Sequence, residues 1–259
     1  MRVDLHNHTT LCNHATSSME EYILKAIENK IDIYGFSDHA PMNFDKKYRM
    51  NIEKRSFYEK TALDLKEKYK KNIKILLAYE VDYLNGYILD DIIKSDVDYL
   101  IGSVHFINKW GFDNPQFINR YKNQDIDKIW EDYFDIITNL AKSNLFDIVG
   151  HLDLIKVFNF IPKKDIKKIV YLSLQEIKRS NMVIEINSSG FLKPIKEQYP
   201  SKDILQLAYE LDIPITFSSD AHHLKYIGNN YSKVVKLAKE VGYSKCAIFE
   251  KRERALVNF

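Results

Sequence analysis

Cysteine is scarce in this chain: 259 residues hold two, Cys12 and Cys246, far apart in sequence. That excludes a disulfide framework and points to a reducing compartment. No apolar run approaches the roughly 18–20 residues that a membrane-spanning helix needs. Nor does an apolar stretch of the secretory kind follow Met1-Arg2-Val3-Asp4, so a cytoplasmic setting is the expectation. An excess of charge of one sign is missing too. Lysine and arginine number 38 against 36 aspartates and glutamates, a net charge of +2. This gives no basis for a general polyanion binder, and the densest lysine clusters (66–71, 163–164) fall on expected solvated helix faces. Neither nucleic acid nor a membrane is an expected partner. Low-complexity linkers are also lacking, and the composition, 45% hydrophobic and 29% charged, is that of an ordinary globular protein with a sizeable core.

What the chain does contain is an alternation of short β-rich apolar runs with longer amphipathic ones. Strands are predicted at 2–6, 31–37, 73–81, 99–105, 146–151, 182–187 and 213–220, with a short closing strand after 244. Helices are predicted over about 16–29, 52–71, 89–94, 125–143, 163–180, after Pro200-Ser201, and over 232–241. Thr16-Ser17-Ser18 before Glu20-Glu21 reads as a helix start, and Ser201 as the cap of the helix that follows it. This rhythm predicts an α/β fold with a parallel sheet. Seven β-then-α units without a linker predict one domain over residues 1–259, a distorted seven-unit (β/α) barrel.

Ligand-capable side chains recur at the predicted strand ends. Residues two apart on a strand share a face, so His6 and His8 present two imidazoles together, with Asp4 one step behind. His39 ends the second strand, Glu80 lies near the end of the third, His105 ends the fourth and His151 the fifth. Asp220 and His222 end the seventh, and His14 sits in the loop after the first. In parallel β/α barrels the strand C-termini converge on one rim, where sites are built. Seven of the eight histidines thus map to that rim; His223 is read as a neighbour without ligand duty. Nine candidate ligands exceed the needs of one tetrahedral ion, which predicts two or three divalent metals. Nitrogen-rich ligation suits Zn²⁺ first, with Fe²⁺ or Mn²⁺ as alternatives to the oxygen-preferring Mg²⁺ and Ca²⁺. Asp4 is expected to hold a ligating histidine through its other ring nitrogen. Cys12, between His8 and His14, reads as a small buried residue. Ser103, Phe106 and Trp110 are candidates for lining a substrate pocket.

The ordered motifs Asp4-x-His6-x-His8, Asp38-His39, Glu80, Ser103-Val104-His105, Gly150-His151 and Ser219-Asp220-Ala221-His222 resemble those of the polymerase-and-histidinol-phosphatase (PHP) superfamily. Three stretches resemble its histidinol-phosphatase branch more narrowly: Leu11-Cys12-x-His14-Ala15, His151-x-Asp153-Leu154-Ile155, and Glu185-Ile186-Asn187 leading through Gly190 to Tyr199-Pro200-Ser201. The resemblance implies a trinuclear centre. His6, His8, Glu80 and Asp220 would hold one metal; Glu80 would bridge to a second held by His105 and His151; His14, His39 and His222 would hold the third. It implies metal-dependent hydrolysis of a small phosphate monoester, L-histidinol phosphate. Glu80, Asp220 and His222 would be the catalytic residues around a metal-bridging hydroxide. Related phosphatases tend to place phosphate-gripping arginines after the fifth- and sixth-strand motifs; this chain has Lys156 and Lys193 at about those places. A nucleotide phosphoesterase or nuclease of the same superfamily is the alternative, although no basic groove is visible. A non-catalytic metal-binding module is a further one, although none of the nine positions is lost.

Overall fold

The computed structural model describes residues 1–122 and 124–259. Seven parallel strands form the central sheet: β1 (Val3–Asp4), β2 (Ile33–His39), β3 (Lys74–Asp82) and β4 (Tyr99–Ser103) in its first half. A small hairpin, β5 (Phe106–Ile107) and β6 (Trp110–Gly111), follows β4. The sheet resumes with β7 (Ile148–Val149), β8 (Val183–Asn187) and β9 (Ile215–Ser218), in the order β1-β2-β3-β4-β7-β8-β9. Every neighbouring pair is parallel.

A helix follows each sheet strand: α1 (Met19–Glu28), α2 (Arg55–Tyr69), the one-turn α3 (Asp90–Ile93), α4 (Ile126–Lys142), α5 (Ile166–Arg179), α6 (Lys202–Glu210) and α7 (Tyr231–Val241). The seven expected units are all present. Strands β1 and β9, at the two ends of the sheet, meet without a full ladder. The Leu5 amide donates to the Phe217 carbonyl and the His8 amide to the Ala221 carbonyl, each at 3.0 Å, and Asn7 forms an isolated bridge with Ala221. The result is a nearly closed barrel with one seam.

Alternation along the strands divides the core in two. Tyr34, Phe36, Ile75, Leu77, Leu100 and Ile184 point outward against the helices. Val3, Ile33, Leu76, Ile101, Val183 and Ile215 point inward and meet the C-terminal hairpin, β10 (Lys245–Glu250) with β11 (Glu253–Asn258). The tail is therefore two strands rather than one. It closes the end of the barrel where strands begin: Thr216 Oγ1 donates to the Ala247 carbonyl at 2.9 Å, and Arg252 reaches the Leu145 carbonyl and Asp147. Inside the barrel, Tyr99 sends its hydroxyl across to the Leu5 carbonyl. A Cβ on Gly35 would lie 1.8 Å from that hydroxyl oxygen, so only glycine fits there.

Local chemistry explains where elements start and stop. Ser18 accepts from the Glu21 amide while the Glu21 carboxylate accepts from the Ser18 amide, a reciprocal cap on α1. Ser201 precedes α6, but its side chain makes no capping hydrogen bond; its amide donates instead to Asp153. The paired parts of β1 and β7 are shorter than expected. At the opposite rim the chain leaves extended geometry to aim side chains inward, with φ of 23° at His151 and 51° at Asp220. Among the described residues, no helix is long and apolar enough to cross a membrane.

Candidate metal centre

Glu80 stands at the middle of the strand-end rim, fully buried in β3. Its Oε2 faces His6 Nε2 at 3.4 Å, His8 Nε2 at 3.7 Å and His39 Nδ1 at 2.8 Å. Its Oε1 faces His151 Nε2 at 2.9 Å and His105 Nε2 at 3.8 Å. One carboxylate is thus ringed by five imidazoles from four strand ends, His6 and His8 both following β1. Asp220 Oδ1 approaches His8 Nε2 at 3.2 Å and His222 Nδ1 at 3.6 Å. His222 stacks on His8 with ring centroids 4.0 Å apart and neighbours His14 at 4.5 Å. The structure therefore brings together all nine side chains expected at the rim.

Among the described residues, four groups offer donor atoms mutually within 4.8 Å: His6, His8 and Glu80; Glu80, His105 and His151; His14, His39 and His222; and His8, Cys12 and His222. In the last, the Cys12 thiol donates to the Thr9 carbonyl at 3.0 Å, and burial pushes its pKa up. Buried atoms in these groups lack hydrogen-bond partners: Nε2 of His6, His8 and His222, Nδ1 of His39, and Oε2 of Glu80. Leaving so many buried polar atoms unpaired is costly. All are lone-pair donors aimed at one another, so the residues fit divalent cations placed among them.

Carboxylates behind the imidazoles fix their orientation. His6 Nδ1 lies 2.7 Å from Glu185 Oε1, His8 Nδ1 is 3.3 Å from Asp38 Oδ1, and His105 Nδ1 is 2.8 Å from Asp82 Oδ1. His14 Nδ1 faces the Cys12 carbonyl at 2.8 Å. Each such partner directs the opposite nitrogen toward the centre. Asp4 does not do this work. Its carboxylate accepts from the Ser219 amide and hydroxyl, the Asn7 side chain and the Gly228 amide, and so ties β1 to the loop after β9. Sequence reasoning missed Glu185, Asp38 and Asp82 as supports. A signal existed for Asp82, which lies two residues beyond Glu80 on one strand and hence on the same face.

Charge is divided unevenly across the cluster. Burial alone would raise the Glu80 pKa, but His39, His6 and His105 around it hold it well below the carboxylate range. Burial would likewise lower His6, yet Glu185, Glu80 and Asp220 raise it well above the usual imidazole value. His105 is pushed up to about 10: burial opposes the shift, and Asp82 and Glu80 drive it. Burial and the adjoining His8 hold His222 well below. The cluster draws positive charge to its carboxylates.

The cluster opens into a cavity of about 550 Å³, whose outer wall includes Asp45, Arg49, Phe106, Asp113, Lys193 and Tyr226. Lys193 and Phe106 reach it as expected, and His223 lines it while bonding Thr16. Lys156 does not. Its Nζ is buried against Asp153 at 2.9 Å, Glu197 at 2.7 Å and the Gln198 carbonyl at 2.8 Å, so its charge is neutralised inside the protein. Ser103 is fully buried and packs beneath Gly150, away from the cavity. Trp110 is buried between Tyr121 and Arg120. Arg49, unanticipated from the sequence, lies in the cavity wall against Asp82.

Comparison with known proteins places these features in a family. A model described as "PHP domain" matches residues 4–189, and one described as "PHP-associated" matches residues 202–242. A Deinococcus radiodurans protein named "Probable histidinol-phosphatase" is 32% identical over 244 residues, covering 92% of this chain and 93% of its own. The Bacillus subtilis histidinol-phosphatase is 26% identical over 260 residues, covering 88% of this chain and 96% of its own. In fold, the chain is similar to a Lactococcus lactis histidinol phosphate phosphatase whose crystal structure holds zinc, L-histidinol and phosphate. The TM-score is 0.81, at 21% identity and 98% coverage of each chain.

Proposed function

Because the chain belongs to the PHP domain family, we propose that it is a metal-dependent phosphomonoesterase that hydrolyses L-histidinol phosphate to L-histidinol and phosphate, a step of histidine biosynthesis. The observation that carries this reading is the ring of five imidazoles around buried Glu80 at the floor of a cavity sized for a small ester. Water adds to phosphorus, the ester P–O bond breaks, and the leaving oxygen takes a proton to become the alcohol of histidinol.

In this reading His6, His8, Glu80 and Asp220 would hold one ion, Glu80 with His105 and His151 a second, and His14, His39 and His222 a third. Divalent ions bound there, zinc first and iron or manganese as alternatives, would supply Lewis-acid charge for the phosphoryl oxygens and lower the pKa of the attacking water. The protein's own part is positioning. Glu185, Asp38 and Asp82 hold the imidazoles in one orientation, Glu80 and Asp220 offset the cationic charge, and the cavity walls seat the ester. Asp45 and Asp113 on the outer wall suit a substrate with a protonated amine and imidazole. Residues 202–242 contain Asp220 and His222, so the site needs both matched segments, and the chain is read as one domain over residues 1–259. Two buried, unbridged cysteines agree with a cytoplasmic setting.

The test is turnover of histidinol phosphate, p-nitrophenyl phosphate, a nucleotide monophosphate and single-stranded DNA by metal-loaded protein. Binding energy from the amine and imidazole should speed the chemical step. The kcat/KM for histidinol phosphate is therefore expected to exceed that for p-nitrophenyl phosphate, although nitrophenolate leaves more easily. Equal turnover of the generic ester or the nucleotide would reduce the assignment to a metallophosphoesterase of open substrate.

A further inference from the structure

A phosphate ester carries roughly two negative charges at neutral pH, and the residues that grip it must come from the cavity wall. Lys156 is spent on Asp153 and Glu197. Among the described residues that line the cavity, the cationic side chains besides histidine are Arg49 and Lys193. Lys193 is exposed at the mouth, where a lysine is strongly hydrated and rotates freely.

Arg49 is placed differently. It lies on the segment between β2 and α2, only 4% exposed. Its backbone is anchored beside the histidine cluster: the Asn13 side chain donates to its carbonyl at 2.9 Å, and the next residue, Met50, donates its amide to the His39 carbonyl. The guanidinium rests against Asp82 Oδ2, while Asp82 Oδ1 faces His105 Nδ1 at 2.8 Å. One carboxylate thus fixes both the guanidinium and a member of the Glu80–His105–His151 group. Arg49 Nη2 is 3.9 Å from Asp45, and its Cζ is 5.6 Å from the centre of the Phe106 ring. Nε has no hydrogen-bond partner, and Nη1 touches Asp82 without forming an aligned hydrogen bond. A buried guanidinium with unmet donors in the cavity wall leaves part of its desolvation cost uncompensated. Its planar fork matches two oxygens of a tetrahedral oxyanion, which a lysine ammonium does not.

We propose that Arg49 grips the phosphoryl group of the substrate, with Asp82 holding the guanidinium beside His105. The assignment deepens the phosphatase reading and depends on it only for the phosphoryl group, not for the alcohol that leaves.

The experiment compares metal-loaded unsubstituted protein with Arg49→Lys and Arg49→Met. It reads inhibition of p-nitrophenyl phosphate turnover by inorganic phosphate, the thermal shift that phosphate produces, and metal content by elemental analysis. Losing a bidentate charged contact should raise the phosphate inhibition constant about 10- to 100-fold and shrink the thermal shift, with metal content retained. Arg49→Lys keeps the ion pair to Asp82 and removes only the fork, so it carries the test should Arg49→Met fail to fold. Unchanged phosphate inhibition in Arg49→Lys overturns the proposal. So does a variant that loses metal and regains normal phosphate affinity when resupplied, because Arg49 would then act only as a brace for His105. Turnover of histidinol phosphate by the unsubstituted protein is decided separately; its failure would leave the phosphate measurements intact.

Discussion

Glu80 shows how one side chain organises a site: each of its oxygens meets a different set of imidazoles, so removing its charge disturbs both sets at once. Glu80→Gln keeps the shape and removes the charge that would offset cations bound on either side of it. Its effect should exceed that of an outer partner, whose loss typically costs about 10–100-fold in metal affinity or activity. Glu185 is such a partner, since it faces His6 Nδ1 and accepts from the His151 amide. Zinc titration of Glu185→Gln should find affinity about 10–100-fold weaker; affinity equal to that of the unsubstituted protein would remove Glu185 from the positioning role. At this scale the inner residues of the site were legible because histidines and carboxylates at strand ends are read from spacing alone. Their supports were not. Asp4 and Asp82 both lie two residues from a candidate ligand, and only tertiary packing separates them: β9 beside β1 gives Asp4 to Ser219, and β4 beside β3 gives Asp82 to His105.

At the scale of elements, Lys156 belongs to the loops after β7 and β8 rather than to the substrate. Its ammonium binds Asp153 and Glu197 and lies 5.4 Å from the centre of the Tyr199 ring, while Asp153 also accepts from the Ser201 amide. These contacts brace the 189–201 segment that carries Ser189 and Lys193 into the cavity wall. Lys156→Met leaves the Asp153 carboxylate buried and unpaired. It should cost about 3–5 kcal/mol of stability by denaturant titration, with KM for phosphate esters unchanged in the folded fraction. A raised KM at unchanged stability would return Lys156 to phosphate binding. The α1 cap offers a milder case: Ser18→Ala should cost about 1 kcal/mol with metal content unaffected, and a stability equal to the unsubstituted protein would show the cap to be redundant. The β/α rhythm was legible because apolar period and length distinguish strands from helices. The tail hairpin and the β5–β6 pair were not, since two- to six-residue strands whose partners are each other carry little pattern of their own.

Across the whole molecule, part of the candidate metal centre sits at the seam of the barrel. His6 and His8 follow β1 and Asp220 and His222 follow β9, so the proposed ligands straddle the seam that backbone pairing leaves open. Cations binding the folded chain and not the unfolded one stabilise it by mass action, by about 2.7 kcal/mol at a hundredfold excess over Kd. Elemental analysis of native protein should find more than one transition metal per chain; a single ion with full activity would sink the multinuclear reading. Stabilisation should also be local. On chelation, the Leu5 and His8 amides, which donate across the seam to Phe217 and Ala221, should exchange hydrogen faster. Amides of the β10–β11 ladder should hold their protection, because that hairpin packs on the strand beginnings, at the end opposite the rim. Re-addition of zinc should restore the seam first. Uniform loss of protection across barrel and hairpin would mean that the ions support the fold globally. No change at Leu5 and His8 would mean that Asp4, through Ser219 and Gly228, already closes the seam without metal.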